Sequence, residues 1–306
     1  MKKEKIHRSP LFYVGDKYKL VREIKTHFPT TISRFIEPFV GGGSVFLNVN
    51  ANEYLLNDIN SYVIDIHGFL SFYIGKEKDF FDMIFSIIAK YNLSFSHKKD
   101  IVPIELKQQY NKTYIAHFNK KNFNQLKADY NNSKERNVAE LYVLLIYGFN
   151  RMLRFNSKNE YNLPVGNVDF NTNVYNALSD YFKLNSSKKT NWFCLDFKQF
   201  LGSIAYQQDD FVYLDPPYLI TFSEYNKLWN ENTEQDLLQI LDNLNERGIK
   251  FAISNVTHYK GKENSQFINW SKKYNSYQIK SNYISYHDNT IKKFNEVLTT
   301  NYGKTN

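Results

Sequence analysis

RFIEPFVGGGSVFLNV, residues 34–49, carries a strand, a glycine turn and an apolar run in direct succession. RFIEPF (34–39) reads as a short strand, VGGGS as a tight turn, and the apolar run VFLNV as the start of a helix. A second apolar strand follows in EYLLNDIN (53–60), and it too ends in an acid, Asp58. Two strand-turn units in succession predict a parallel α/β sheet.

Residues 69–188 differ in character. The segment is rich in Asn, Lys and aromatics, as in HFNKKNFNQLKADYNNSKERN (117–137), and its periodicity is poor. Within it VAELYVLLIYGFNRMLRF (138–155) predicts an apolar helix. We therefore expect a domain of helices and loops at 69–188, inserted into a sheet domain formed by 1–68 and 189–306. Strand character returns in TNWFCLDF and FVYLDPPY, and TEQDLLQILDNLNERG (233–248) predicts a helix capped by Thr233 and ended by Gly248. KFAISN (250–255) predicts a strand, and YQIKSNYISY and FNEVLTTNY (294–302) two late antiparallel ones.

Hydrophobic residues at 42% and aromatics at 17% exclude disorder over the whole length of 306 residues. A formal net charge of +8 gives a favourable field for a polyanion. The single cysteine, Cys194, excludes an internal disulfide framework; among the apolar neighbours of NWFCLDF it reads as a small buried hydrophobe. The charged start MKKEKIHRSP has no apolar core behind it, and no segment has the apolar length of a membrane span, so a cytoplasmic protein with no membrane partner is expected.

The chemistry begins at EPFVGGGSVF (37–46). Glycines where a strand turns towards a helix let a ligand approach the backbone closely. Phe46 stands where the dinucleotide fingerprint wants its third glycine, which disfavours a nicotinamide dehydrogenase, and no P-loop lysine follows. Asp58 can accept both hydroxyls of a ribose, although an acid there also serves as an ordinary cap or surface charge. Together, turn and acid point to an adenosine-containing cofactor. At FVYLDPPYLI (211–220) a buried strand runs into an acid, two prolines and a tyrosine. An exocyclic amine on a nucleobase is a poor nucleophile because its lone pair is delocalised. The Asp215 carboxylate and the Pro216 carbonyl, gripping its two hydrogens, favour a pyramidal nitrogen aimed at an electrophilic methyl, with Tyr218 stacked on the base. No covalent intermediate and no metal is needed, and the seven histidines show no ligand spacing.

EPFVGGG, the acid of LLNDIN and DPPY, in this order with a long insertion, resemble the Dam-type class of S-adenosylmethionine-dependent DNA N6-adenine methyltransferases, of restriction-modification or solitary type. FYVGDKYKL (12–20) is similar to that family's opening K-W-x-G-G-K element, RFNSKNEYNLPVG (154–166) to its R-x-N-x-x-G-x-F-N-V-P-x-G segment, and FNEVLTTNY to its closing strand. The resemblance covers nearly the whole chain. It implies a Rossmann-like methyltransferase sheet with helices on both faces and an antiparallel last strand, and an inserted, mostly helical DNA-recognition domain. The implied partners are duplex DNA and, in restriction-modification members, a cognate restriction endonuclease acting on the same site.

By position, the resemblance implies that Tyr13, Gly15 and Lys17 border the cofactor and that Glu37, Phe39, Gly41 and Gly43 surround its methionine end. Asp58 then holds the ribose, Asp196 and Phe197 the adenine, and Asp215, Pro216, Pro217 and Tyr218 form the catalytic tetrapeptide. Asn150, Met152 and Arg154 match a DNA-facing element. The chain departs from the family pattern at Phe12, where a lysine often sits, at Asp16 and Arg151, which replace glycines, and at Asn167, where an arginine often follows. These departures bear on the DNA site, so no recognition sequence is carried over. Methylation of cytosine N4 and a catalytically idle DNA-binding module remain as alternatives.

Overall fold

The structure is a computed structural model that describes residues 5–99, 102–221, 229–279 and 295–303. The chain divides into two compact units, one of Met1–Asp16, Gly41–Leu47 and Asn60–Ser187, the other of Lys17–Val40, Asn48–Ile59 and Lys188–Asn306. In chain order the elements begin with α1 (Val21–Lys25), β1 (Arg34–Glu37) and β2 (Glu53–Asn57). Then come α2 (Ser61–Phe72), α3 (Glu77–Lys90), α4 (Ile104–Gln109), α5 (Tyr114–Asn132), α6 (Val138–Tyr147) and α7 (Thr172–Asn185). The last part holds β3 (Thr190–Phe193), α8 (Phe197–Ser203), β4 (Phe211–Leu214), α9 (Glu231–Glu246), β5 (Lys250–Tyr259), β6 (Lys262–Glu263), α10 (Ser265–Ser271), β7 (Asn275–Ile279) and β8 (Asn295–Thr300).

The second unit contains one sheet of order β3-β2-β1-β4-β5-β8-β7, with the short β6 paired to β5. The first five strands run parallel, and β8 runs antiparallel between β5 and β7, as the sequence predicts for the last strand. Residues 280–286 of YQIKSNYISY and Phe294 of FNEVLTTNY lie outside the described residues. Because successive strand residues face opposite ways, β1 and β4 build two cores. Ile36, Val212 and Leu214 pack with Phe200, Leu237, Leu241 and Phe267 of α8, α9 and α10. Phe35, Phe211 and Tyr213 face the other way, where Phe28, just beyond α1, lies 4.7 Å from the Phe211 ring and 5.3 Å from that of Tyr213. The Arg34 guanidinium, bound to both carboxylate oxygens of Asp210 at 2.9 and 2.6 Å, fastens the start of β1 to the start of β4.

The first unit is helical, with α6 buried along almost its whole circumference and packed by α2, α3 and α5. No helix among the described residues is long and apolar enough to cross a membrane.

Four local expectations are corrected. VFLNV forms a 3-10 turn at Phe46–Asn48 instead of opening an α-helix. The Tyr54 hydroxyl binds the Val49 carbonyl (2.8 Å) and the Ala51 amide (2.9 Å), which draws the chain straight into β2. The helix expected over 138–155 stops at Tyr147, because Gly148 and the returning segment take the backbone bonds a further turn would use: Phe149 N–H donates to Pro164 (2.9 Å) and Gly166 N–H to Tyr147 (2.7 Å). α9 is capped by Asn230, whose side chain accepts from the Thr233 amide at 3.0 Å, so the helix begins ahead of Thr233; Gly248 does follow its end, at φ +72°. Cys194 is exposed, because β3 is an edge strand that is only half-covered along its length.

Candidate active site

β1 and β4 are parallel neighbours, yet the strands that flank them lie on opposite sides. Such a switch point opens a crevice beyond the carboxyl ends of the two strands. Glu37, the last residue of β1, is 2% exposed there. β4 is buried throughout and delivers Asp215, Pro216, Pro217 and Tyr218 to the same edge. The prolines cannot continue the ladder and fix the backbone that carries the acid and the ring.

Asp215 is held by groups far away in sequence. Lys17 Nζ lies 2.9 Å from Asp215 Oδ1 and 3.3 Å from Glu296 Oε1, and it donates to the Tyr218 hydroxyl at 2.6 Å. That hydroxyl is 2.9 Å from Asp215 Oδ1 and 3.1 Å from Glu296 Oε1, so its single proton goes to one carboxylate at a time. Lys17 Nζ thus lies at the hydroxyl edge of the Tyr218 ring, 4.9 Å from its centre. Burial by itself would depress the Lys17 ammonium, but the carboxylates of Asp215 and Glu296 outweigh it and hold its pKa well above the ordinary lysine value. Burial raises the Asp215 carboxyl above the ordinary aspartate range; Lys17 pulls it back and Glu296 pushes it up. Both bonds to Asp215 fall on Oδ1, and among the described residues Oδ2 accepts none.

Glu296, on β8, is fully buried, and its Oε2 has no hydrogen-bond partner among the described residues. Sequence reasoning missed it. The signal was a lone acid in the apolar run FNEVLTT, whose meaning depends on a lysine at the other end of the chain.

At the neighbouring strand ends a second residue was missed. Buried Asn57 donates to the Pro38 and Leu195 carbonyls, both at 3.0 Å, and accepts from the Leu195 amide at 2.9 Å, so one side chain staples the ends of β1, β2 and β3. That staple positions Asp58 and Asp196. Asp196 caps α8 by accepting from the Lys198 amide at 2.9 Å. Ile59, beside Asp58, is 60% exposed. Phe39 and Phe197 come together with ring centres 5.5 Å apart, and Trp229 closes the triad at 5.7 and 5.6 Å.

Tyr13, Gly15, Gly41 and Gly43 belong to the first unit. Gly41 and Gly43 take φ of +47° and +77°, and a Cβ on Gly43 would collide with the Phe46 ring. A Cβ on Gly42 would come within 2.8 Å of Tyr13 Cβ, so the tyrosine lies directly against the turn. His67 of α2, fully buried, donates from Nε2 to the Gly41 carbonyl at 2.8 Å; burial pushes its pKa down to about 4 and keeps it neutral.

Asn150, Met152 and Arg154 share the turn after α6. Asn150 (φ +54°) and Arg151 (φ +50°) are both left-handed, and Arg154 is anchored by its Nε to Asn162 Oδ1 at 2.9 Å. Phe149, which the sequence reading passed over, is 50% exposed at the same turn.

A profile of the D12 class N6 adenine-specific DNA methyltransferases matches residues 13–284. The chain is 36% identical to the type II methyltransferase M.FokI of Planomicrobium okeanokoites, over 96% of this chain and 43% of that protein. It is 32% identical to the modification methylase StsI of Streptococcus sanguinis, over 98% and 43%, and thus spans less than half the length of either relative. With a DNA adenine methylase of Vibrio cholerae it shares 29% identity over 84% of each protein. The acid-Pro-Pro-Tyr edge on a mixed sheet with an antiparallel last strand has the family these matches name: the chain belongs to the D12 class of N6 adenine-specific DNA methyltransferases.

Proposed function

We propose that the chain transfers a methyl group to N6 of an adenine extruded from duplex DNA, and that S-adenosylmethionine is the donor. The observation that carries this reading is Asp215 at the switch point, clamped through Oδ1 by Lys17 and Tyr218 with Oδ2 left as an acceptor. Asp215 Oδ2 and the Pro216 carbonyl would take the two amine hydrogens and aim the nitrogen lone pair. Lys17 favours the ionised carboxylate and holds the Tyr218 hydroxyl at the edge of the ring, with the ring left to stack on the base.

The donor set suits the cofactor. Asp58 for a ribose diol and the exposed Ile59 for an adenine face stand next to each other at one strand end, and half-buried Phe39, its ring 5.5 Å from that of buried Phe197, offers further aromatic surface. Asp196 keeps one carboxylate oxygen beyond its cap to accept from the adenine amine. Tyr13, Gly15, Glu37, Gly41 and Gly43 are proposed to line the methionine end, with Lys17 at its border. When bound, S-adenosylmethionine supplies an electrophilic methyl on a sulfonium sulfur that departs as a neutral thioether.

Residues 1–68 and 189–306 are proposed as the catalytic part and 69–188 as the part that recognises DNA. There Asn150, Met152 and Arg154, with exposed Phe149, would contact the bases and fill the vacated stack. By likeness to a modification methylase we propose a cytoplasmic mark that protects its site from a cognate nuclease.

The test is transfer of labelled methyl from S-adenosylmethionine to unmethylated DNA, followed by nucleoside analysis. N6-methyladenine is expected, and Asp215→Ala should lower the rate by roughly 10²-fold or more. Labelled cytosine, no transfer by wild type, or an Asp215→Ala variant as fast as wild type would overturn the reading.

A further inference from the structure

Two of the positions at which the sequence departs from its family's pattern touch each other. The Arg151 guanidinium carbon lies 4.2 Å from the centre of the Phe12 ring, and that of Arg8 lies 4.5 Å from the same centre. A single ring thus carries two cations. Two positive charges on one ring repel, Arg8 from an exposed position and Arg151 from a partly buried one. Arg151 Nε is buried and has no hydrogen-bond partner among the described residues. Burial pushes the Arg151 pKa down to about 10, Tyr142 opposes the shift, and Arg8 adds to it. A bound acceptor would relieve both the repulsion and the lost hydration.

The backbone is arranged around the same cluster. Phe12 (φ +48°), Asn150 (φ +54°) and Arg151 (φ +50°) are all non-glycine residues in the left-handed region. Such strain persists where the surroundings enforce it, and it gathers at ligand sites. A guanidinium laid on an aromatic face has its plane fixed and presents its N–H donors edge-on, the geometry that meets two acceptors at once. Position 151 also lies between Asn150 and Met152, both proposed to face DNA.

We propose that Arg151, laid on Phe12 with Arg8 on the same ring, is a DNA-contact residue that takes a bidentate acceptor on the duplex and so helps determine which site is modified. The inference rests on the DNA methyltransferase reading. Two acceptors of this kind exist on duplex DNA, the O6/N7 edge of guanine and a pair of phosphate oxygens.

The test compares wild type with Arg151→Gly, Arg151→Ala and Arg151→Lys, all in the full chain. Methylated adenines are mapped in a methylation-free host, and binding to the mapped duplex is followed as salt is raised. For a guanine edge, the Gly and Ala variants should relax the site at one base pair, losing roughly 10- to 100-fold of discrimination, and Lys should not restore it. For a phosphate, both should weaken binding to all duplexes alike and lower the log–log salt slope by about 1, and Lys should recover most of it. Either pattern supports the proposal. Glycine accepts φ +50° without strain, so Arg151→Gly should melt no lower than wild type, which separates a DNA contact from a structural prop. If the Gly and Ala variants methylate the same sites with wild-type affinity and salt slope, the inference is wrong while the methyltransferase reading stands. A wild-type chain that neither binds nor methylates DNA sinks both.

Discussion

Asp215 grips an amine best as a carboxylate, and burial with two charged neighbours decides whether it is one at neutral pH. Burial and Glu296 raise its pKa, and Lys17 lowers it. Methyl transfer should therefore fall on acidification, as Asp215 protonates. Lys17→Met removes the opposing charge and leaves two buried carboxylates facing each other, so the Asp215 pKa moves further up and the acid limb of the kcat profile moves to higher pH. At neutral pH the variant should be slower by roughly tenfold or more, recovering in alkaline buffer. Lys17→Arg keeps the charge and should keep the limb, which controls for the fold, since breaking a buried pair costs about 3–5 kcal/mol. Coincident acid limbs for Lys17→Met and wild type would sink this account. Asp-Pro-Pro-Tyr was readable in the sequence because its parts are contiguous and their stiffness is local. Lys17 was placed at the cofactor's border by the resemblance, but its pairing with Glu296 was not readable, because the two meet only when the last strand is laid beside β5, and no spacing rule links the two ends of a chain.

The glycine turn shows the same division within one element. Its position after a strand was readable from three glycines, but what holds it was not. The buried His67 of α2 binds the Gly41 carbonyl, and Phe46 lies where a Gly43 side chain would go. His67 has a folded pKa of about 4, against an ordinary 6.5. A depressed pKa means that the folded state prefers the neutral ring. The stability this contributes is complete above the unfolded value and is lost as pH falls from about 6.5 towards 4. The full loss is on the order of 3 kcal/mol. Chemical denaturation should show wild type losing more stability over that window than His67→Gln, which keeps a donor but does not titrate there. Equal pH dependence for the two would show that His67 is not the group responsible. α6 gives the opposite lesson: the apolar run was unmistakable, but its end was set by residues 164–166 returning to bond Tyr147 and Phe149, partners no helical period encodes.

For the chain as a whole, the parallel sheet and its antiparallel last strand could be read from apolar runs that each end in an acid or a turn, because those runs are buried and their pattern is strict. The exposure of Cys194 could not, since it follows from β3 standing at the sheet's edge, a fact of strand order and not of its neighbours in sequence. Net charge belongs to this level too. A surplus of +8 and a pI near 9.1 suit a polyanion, and on the proposed function that polyanion is DNA. Binding to a duplex should then weaken linearly in log–log salt, by roughly 10³-fold or more between 50 and 200 mM if six or more phosphates are neutralised. Affinity for S-adenosylmethionine, whose proposed contacts at Asp58, Ile59 and Asp196 involve no phosphate, should change little over the same range. Asp215→Ala should bind the duplex with the wild-type salt slope while transferring almost no methyl, because the acid is assigned to the amine and not to the backbone. That pairing separates an enzyme from an idle DNA-binding module: in an idle module, wild type would show the salt slope and the cofactor affinity but no transfer for the substitution to remove. A duplex affinity indifferent to salt would rule out the electrostatic footing of the whole proposal.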